Sequence, residues 1–119
     1  MSEFRPSTAH VFGWFFQRIS ALFLVIGMIV HFWVLHYFVE KPLSFEKVAA
    51  RLTAPGWAIF DSLLLLAVIY HALNGIWNIL ADYNPPGVLR KVYGWGLFLL
   101  GTATFIWGLI TLIPFTSPV

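Results

Sequence analysis

The sequence predicts an all-α membrane protein of three transmembrane helices, and three observations carry that reading. The chain is apolar: of 119 residues, 60% are hydrophobic and only 10% charged, with a mean hydropathy of +0.83. A soluble domain carries about a quarter charged residues. A chain this short and this apolar has too little polar surface to cover its own side chains, so lipid has to be its solvent. The charges are also clustered, which leaves three long uncharged runs. Finally, the chain holds 6 Trp, 4 Tyr and 12 Phe. Trp and Tyr favour bilayer interfaces, and Phe packs well in lipid and between helices.

Each span follows from a run. Between Arg18 and Glu40 lie the 21 uncharged residues 19–39, and between Asp61 and Asp82 the 20 residues 62–81. No charge follows Lys91, so residues 92–113 form the third run. About 20 apolar residues at 1.5 Å each cross a hydrocarbon core of roughly 30 Å, and all three runs meet that length. The linker 40–61 carries Pro42, Pro55, Gly56 and mixed charge, with a short interfacial helix expected around Phe45 to Leu52. The second linker holds Asn84, Pro85, Pro86 and Gly87, a strong helix stop. Pro114 and Pro118 end the third span. With no internal repeat and no separate soluble segment, residues 1–119 read as one transmembrane domain.

Composition excludes several functions. There is no cysteine, so this chain supplies no disulfide, thiolate metal site, thioether-attached haem or iron–sulfur cluster. Seven basic residues against five acidic ones give +2, which is no basic patch for nucleic acid. Glu3, Arg5, Pro6, His10 and Arg18 precede the first run without an apolar core and small-residue cleavage site, so that run is expected to be retained as a helix. Arg5, Arg18, Arg90 and Lys91 flank one side, and Lys41, Lys47 and Arg51 the other. The positive-inside rule places the N-terminus in the cytoplasm by that one charge.

Polar groups in hydrocarbon are costly, so each one within a span needs a partner. His71 stands near the middle of the second run, about 15 Å from either end. Its imidazole is either hydrogen-bonded across helices or bound to a metal. Gly75, one turn later, leaves a gap that would admit the edge of a flat macrocycle or a closely packed helix. His31 lies on the first helix, with Gly27 one turn before it. Two histidines on two helices, each near a small residue, are how a helical bundle often holds b-type haem. One haem bridging both, or two haems at different depths with ligands from another chain, would each satisfy the pattern. His36, close to Glu40, reads as an interfacial histidine, and His10 as facing water or a partner. Asn74 and Asn78 share the second helix. Asp82 and Tyr83 close it at headgroup level, either as a simple helix terminus or as part of a quinone site, with Arg18 and Ser20 in the same layer.

The run His71-Ala-Leu-Asn-Gly75-Ile-Trp-Asn-Ile-Leu-Ala-Asp82-Tyr83 resembles the second helix of the small membrane-anchor subunit of succinate dehydrogenase (succinate:quinone oxidoreductase, respiratory complex II). Arg18-Ile-Ser20 and Asp61-Ser-Leu-Leu-Leu-Leu also fit bacterial members. The resemblance covers nearly the whole chain in layout and implies half of a haem-binding helical bundle, completed by a companion membrane-anchor subunit. It implies that His71 is an axial ligand of haem b iron, with Gly75 beside the macrocycle. Tyr83 would hydrogen-bond a quinone, supported by Asp82. Ser20 and Arg18 would serve the quinone or a haem propionate. His31, thirteen residues after Arg18, resembles two-haem members and implies a second, distal haem ligand. The departure is Val30, where such relatives often carry Gly. An iron–sulfur subunit, a flavoprotein subunit and a bacterial inner-membrane location are implied as well. The rival readings are a purely structural subunit and a proton conductor using His31, His71 and Asp61.

Overall fold

A computed structural model of the chain describes residues 8–38 and 41–113. Glu3, Arg5, Pro6, Val39, Glu40, Pro114 and Pro118, which figure in the expectations above, lie outside the described residues. Helix α1 spans Thr8–Trp33 and runs on as a π-helical turn, Val34–Phe38. Helix α2 covers Phe45–Leu52, α3 Pro55–Asp82 and α4 Gly87–Leu112. Among the described residues there is no strand.

Helices α1, α3 and α4 are each long and apolar enough to cross a membrane. Their 26, 28 and 26 residues exceed the roughly 20 that a hydrocarbon core demands. Each helix overruns its uncharged sequence: α1 starts ten residues before Arg18, and α4 carries Arg90 and Lys91 in its first turns. Charges mark where hydrocarbon ends. They do not mark where backbone hydrogen bonding ends, because long basic side chains reach the headgroups from within a helix.

Local sequence sets the boundaries. Asn84 takes the left-handed conformation (φ 47°), and its N–H bonds Ala81 O at 2.9 Å. Pro85 and Pro86 then bar continuation of α3. Pro55 stands at the start of α3, where a missing N–H costs nothing. Ser44 caps α2, its side chain accepting from the Lys47 N–H. The Ser44 hydroxyl, with a backbone hydrogen bond, holds the exposed Glu46 carboxyl below its ordinary range.

Helix α3 is central, with α1 on one face and α4 on the other. Gly94, Gly101 and Gly108 repeat every seven residues along α4. A Cβ at Gly94 would meet the Trp77 ring at 3.5 Å, and one at Gly101 or Gly108 would overlap Leu73 or Leu65. Trp77, Leu73, Ile69 and Leu65, four residues apart, form the stripe of α3 that fills these notches. On the opposite face a Cβ at Gly27 of α1 would come within 2.8 Å of Leu64 Cδ1. Small residues that admit a neighbour's leucine are the usual way membrane helices gain packing, since lipid removes the hydrophobic drive between them. Leu22, Val25 and Ile29 of α1 and Leu99, Ile106 and Ile110 of α4 are exposed on the outer surface, as lipid requires.

Candidate functional site

The α1–α3 interface carries a polar ladder. Residues 13, 17 and 20 lie on one face of α1, by helical periodicity, opposite Tyr70, His71 and Asn74 of α3. The Gln17 amide donates to His71 O at 3.2 Å, and its oxygen accepts from Asn74 Nδ2 at 2.7 Å. Tyr70 Oη and Asn74 Nδ2 reach Gly13 O, both at 3.5 Å. Ser20 Oγ donates to Gln17 O at 3.0 Å and lies 3.1 Å from His71 Nδ1.

That last pair bears on the tautomer of His71. A serine hydroxyl has one hydrogen, and Ser20 directs it to Gln17 O. With the hydrogen there, the Ser20 oxygen accepts from His71 Nδ1–H, the tautomer that puts the lone pair on Nε2. Nε2 makes no hydrogen bond among the described residues. The imidazole belongs to the wall of a groove of about 700 Å³, shared with Gln17, Arg18, Asn74, Asp82 and Arg90. The Arg18 guanidinium lies 4.4 Å over the Trp14 ring, and that of Arg90 lies 5.8 Å over Trp77. Aromatic faces thereby hold two of the cations that line the groove.

The expected site residues do not all meet there. Arg18, His71 and Asp82 share the groove. Ser20 is buried behind His71, 7% exposed, and acts on the imidazole from within the helix pair. Gly75 faces α1, with Gln17 Nε2 3.6 Å from where a Cβ would stand, an ordinary van der Waals contact. Tyr83 caps α3 outside the groove lining and is 82% exposed.

His31 belongs to a second cluster toward the opposite end of the bundle. Its Nδ1 lies 3.2 Å from Asp61 Oδ1, and Asp61 Oδ2 accepts from Arg51 Nη2 of α2. Arg51 also lies 5.2 Å over the Trp57 ring, while its Nε and Nη1 are buried without a partner. His31 pairs with residue 61 and Ser20 with residue 71, so the two imidazoles lie about 15 Å apart along the helices. Opposite faces of one iron need both nitrogens within a few ångströms of it, so no single iron can bind both. His36 stacks on Phe32 at 4.0 Å in the π-helical turn, the aromatic company of an interfacial ring.

Among the described residues no three His, Asp or Glu side chains come close enough to hold a bare metal ion. Iron at either histidine would have to bring its own equatorial donors, as a macrocycle does. Gln17, Arg51 and Arg90 were not singled out by the sequence. Gln17 had a signal, a lone amide beside Phe15 and Phe16 in register with Gly13 and Ser20. Arg51 and Arg90 looked like ordinary flanking charges.

These features define a class, a multi-pass membrane protein whose polar groups are gathered between helices at two depths. Residues 4–110 match the family model of the succinate dehydrogenase/fumarate reductase transmembrane subunit. The succinate dehydrogenase hydrophobic membrane anchor subunit of Archaeoglobus fulgidus is 34% identical over 89 residues, which cover 75% of each chain. Its namesake from Thermoplasma acidophilum is 30% identical over 97 residues, 81% of this chain and 79% of that one. The Coxiella burnetii subunit is 28% identical over 96 residues, 81% and 82% of the two chains. The chain belongs to this family and is a membrane-anchor subunit of succinate dehydrogenase, associating with that enzyme's other subunits.

Proposed function

We propose that this anchor carries one axial ligand for each of two b-type haems, His71 and His31, and forms part of the quinone site. The observation that carries the reading is the state of the two imidazoles. Each has Nδ1 engaged by a neighbouring helix and Nε2 left without a hydrogen bond among the described residues. A ligating histidine needs that arrangement, its second nitrogen held and its first bearing a lone pair. The depth difference calls for two haems, with the second ligand of each supplied by a companion membrane-anchor subunit.

Haem b, when bound, supplies a one-electron redox centre. The rest falls to this chain's side chains. Ser20 holds the His71 ring. Arg18 and Arg90 present cations where carboxylates of a bound group can be paired. Tyr83, exposed at the end of α3, would donate its hydroxyl to a quinone carbonyl, with Asp82 beside it in sequence. Succinate oxidation belongs to a flavoprotein subunit, and the iron–sulfur centres to another, since this chain has no cysteine. A bacterial inner membrane with a cytoplasmic N-terminus would set the Asp82–Tyr83 end toward those subunits.

One observation favours a purely structural role: both imidazoles already bridge α1 and α3 through Nδ1. The dithionite-reduced visible spectrum of the purified complex separates the readings. Two haems per complex are expected, with one lost in His71→Ala and the other in His31→Ala. A complex without a b-type band, or with both bands intact in the two variants, refutes the haem reading.

A further inference from the structure

We propose that Asp61, held by Arg51, is the positioning residue of His31 and sets the reduction potential of the haem that His31 ligates. The inference rests on the haem reading above and concerns residues that reading leaves idle. Arg51 and Asp61 side chains are only 8% and 9% exposed, against 30% for His31. The two buried members thus stand behind the more accessible imidazole. Asp61 has Arg51 on Oδ2 and His31 on Oδ1. A carboxylate paired with a guanidinium accepts and does not donate, so the hydrogen of the 3.2 Å contact sits on His31 Nδ1. Nε2 is left as the ligating nitrogen.

The charges explain why three residues are needed. Asp61 alone beside a neutral imidazole would leave a net negative charge at the edge of the hydrocarbon, which is costly. Arg51 cancels it, and the triad of guanidinium, carboxylate and neutral imidazole is uncharged overall. His71 differs in kind, because its Nδ1 is held by a neutral hydroxyl. A carboxylate behind a ligating histidine raises its basicity, and its negative charge favours the oxidised iron. The Arg51 charge opposes that effect from one residue further away. Asp61 and Arg51 therefore pull the same haem in opposite directions.

The test uses the whole purified complex carrying Asp61→Asn, Arg51→Gln or both, titrated potentiometrically with the visible spectrum recorded and haem per complex counted. His31→Ala identifies which spectral component belongs to this site. Asp61→Asn keeps an acceptor oxygen but removes the charge, and shifts the midpoint of the His31 haem upward. Arg51→Gln shifts the same midpoint downward, while the His71 haem holds its potential in both. Loss of packing alone cannot produce opposite signs at one haem. Where one single variant does not assemble, the double variant, which buries no net charge, is compared with the other single. Shifts of equal sign, no shift, or shifts confined to the His71 haem overturn the proposal. A wild-type complex that holds one haem, or two that both survive His31→Ala, refutes instead the reading on which it rests.

Discussion

Replacing Ser20 with alanine separates the two duties of the α1–α3 ladder. The hydroxyl makes two contacts, 3.0 Å to Gln17 O and 3.1 Å to His71 Nδ1, and its removal strands Nδ1–H in a part-buried position. In a soluble core an unpaired donor costs about 1–3 kcal/mol. Between membrane helices, polar contacts average nearer ~0.6 kcal/mol with a ceiling of about 1.7, because the separated helices find other partners. Helix pairing should therefore weaken modestly, and Gln17 with Asn74 still bridges the helices one turn away. Haem retention is the more sensitive readout, since loss of a partner behind a ligating histidine lowers affinity by about 10–100-fold. Ser20→Ala is expected to give an assembled complex that loses the His71 haem on dilution or in competition with an apo-haem protein. Ser20→Thr, which restores the hydroxyl, is expected to hold it. Equal haem dissociation rates in wild type and Ser20→Ala would refute the assigned tautomer.

Gln17→Leu removes the bonds to His71 O and Asn74 Nδ2 and leaves Asn74 with only its 3.5 Å contact to Gly13 O. The complex should lose thermal stability by about 1–2 kcal/mol, read by detergent-solubilised melting. An unchanged melt would mean that the ladder contributes nothing. Gly101→Leu puts a side chain where Leu73 packs, and overpacking costs about 1–3 kcal/mol. Its assembly yield should fall, whereas Gly96→Leu, with nothing within 4 Å of its Cβ, should be tolerated. Tyr83→Phe keeps the ring and removes the donor. Quinone reduction should fall while succinate oxidation with an artificial dye acceptor, haem content and spectrum stay unchanged, and full quinone activity would exclude the hydroxyl.

The membrane helices were legible because hydrocarbon imposes one strong rule on composition and length. The glycines of α4 were harder to interpret, since notch and knob lie on different helices and only packing pairs residue 101 with residue 73. His71 could be picked out by its depth alone. Its partner could not, because Ser20 stands 51 positions away and at a helix entrance reads as a headgroup residue. Asp61 and Arg51 misled for the same reason. Each looks like a charge that bounds a span, while their burial comes from the fold-back of α2 onto α3, which no single helix pattern encodes. Gly75 faces Gln17 of α1, a neighbour that its place in the sequence does not reveal.

The two faces of α3 differ in how far this chain covers them. The stripe from Leu65 to Trp77 is filled by α4, which closes that side with apolar packing. The other face meets α1 but leaves the groove of Arg18, His71, Asn74 and Asp82 unsealed by this chain. Lipid cannot cover such a groove, since polar groups facing hydrocarbon without partners cost several kcal/mol each, of the order of about 2–7 for an uncharged one. Water at the headgroups or another succinate dehydrogenase subunit has to meet those groups. His71 therefore stands on a flank that this chain leaves open, while α4 packs its glycine notches onto the opposite face of α3.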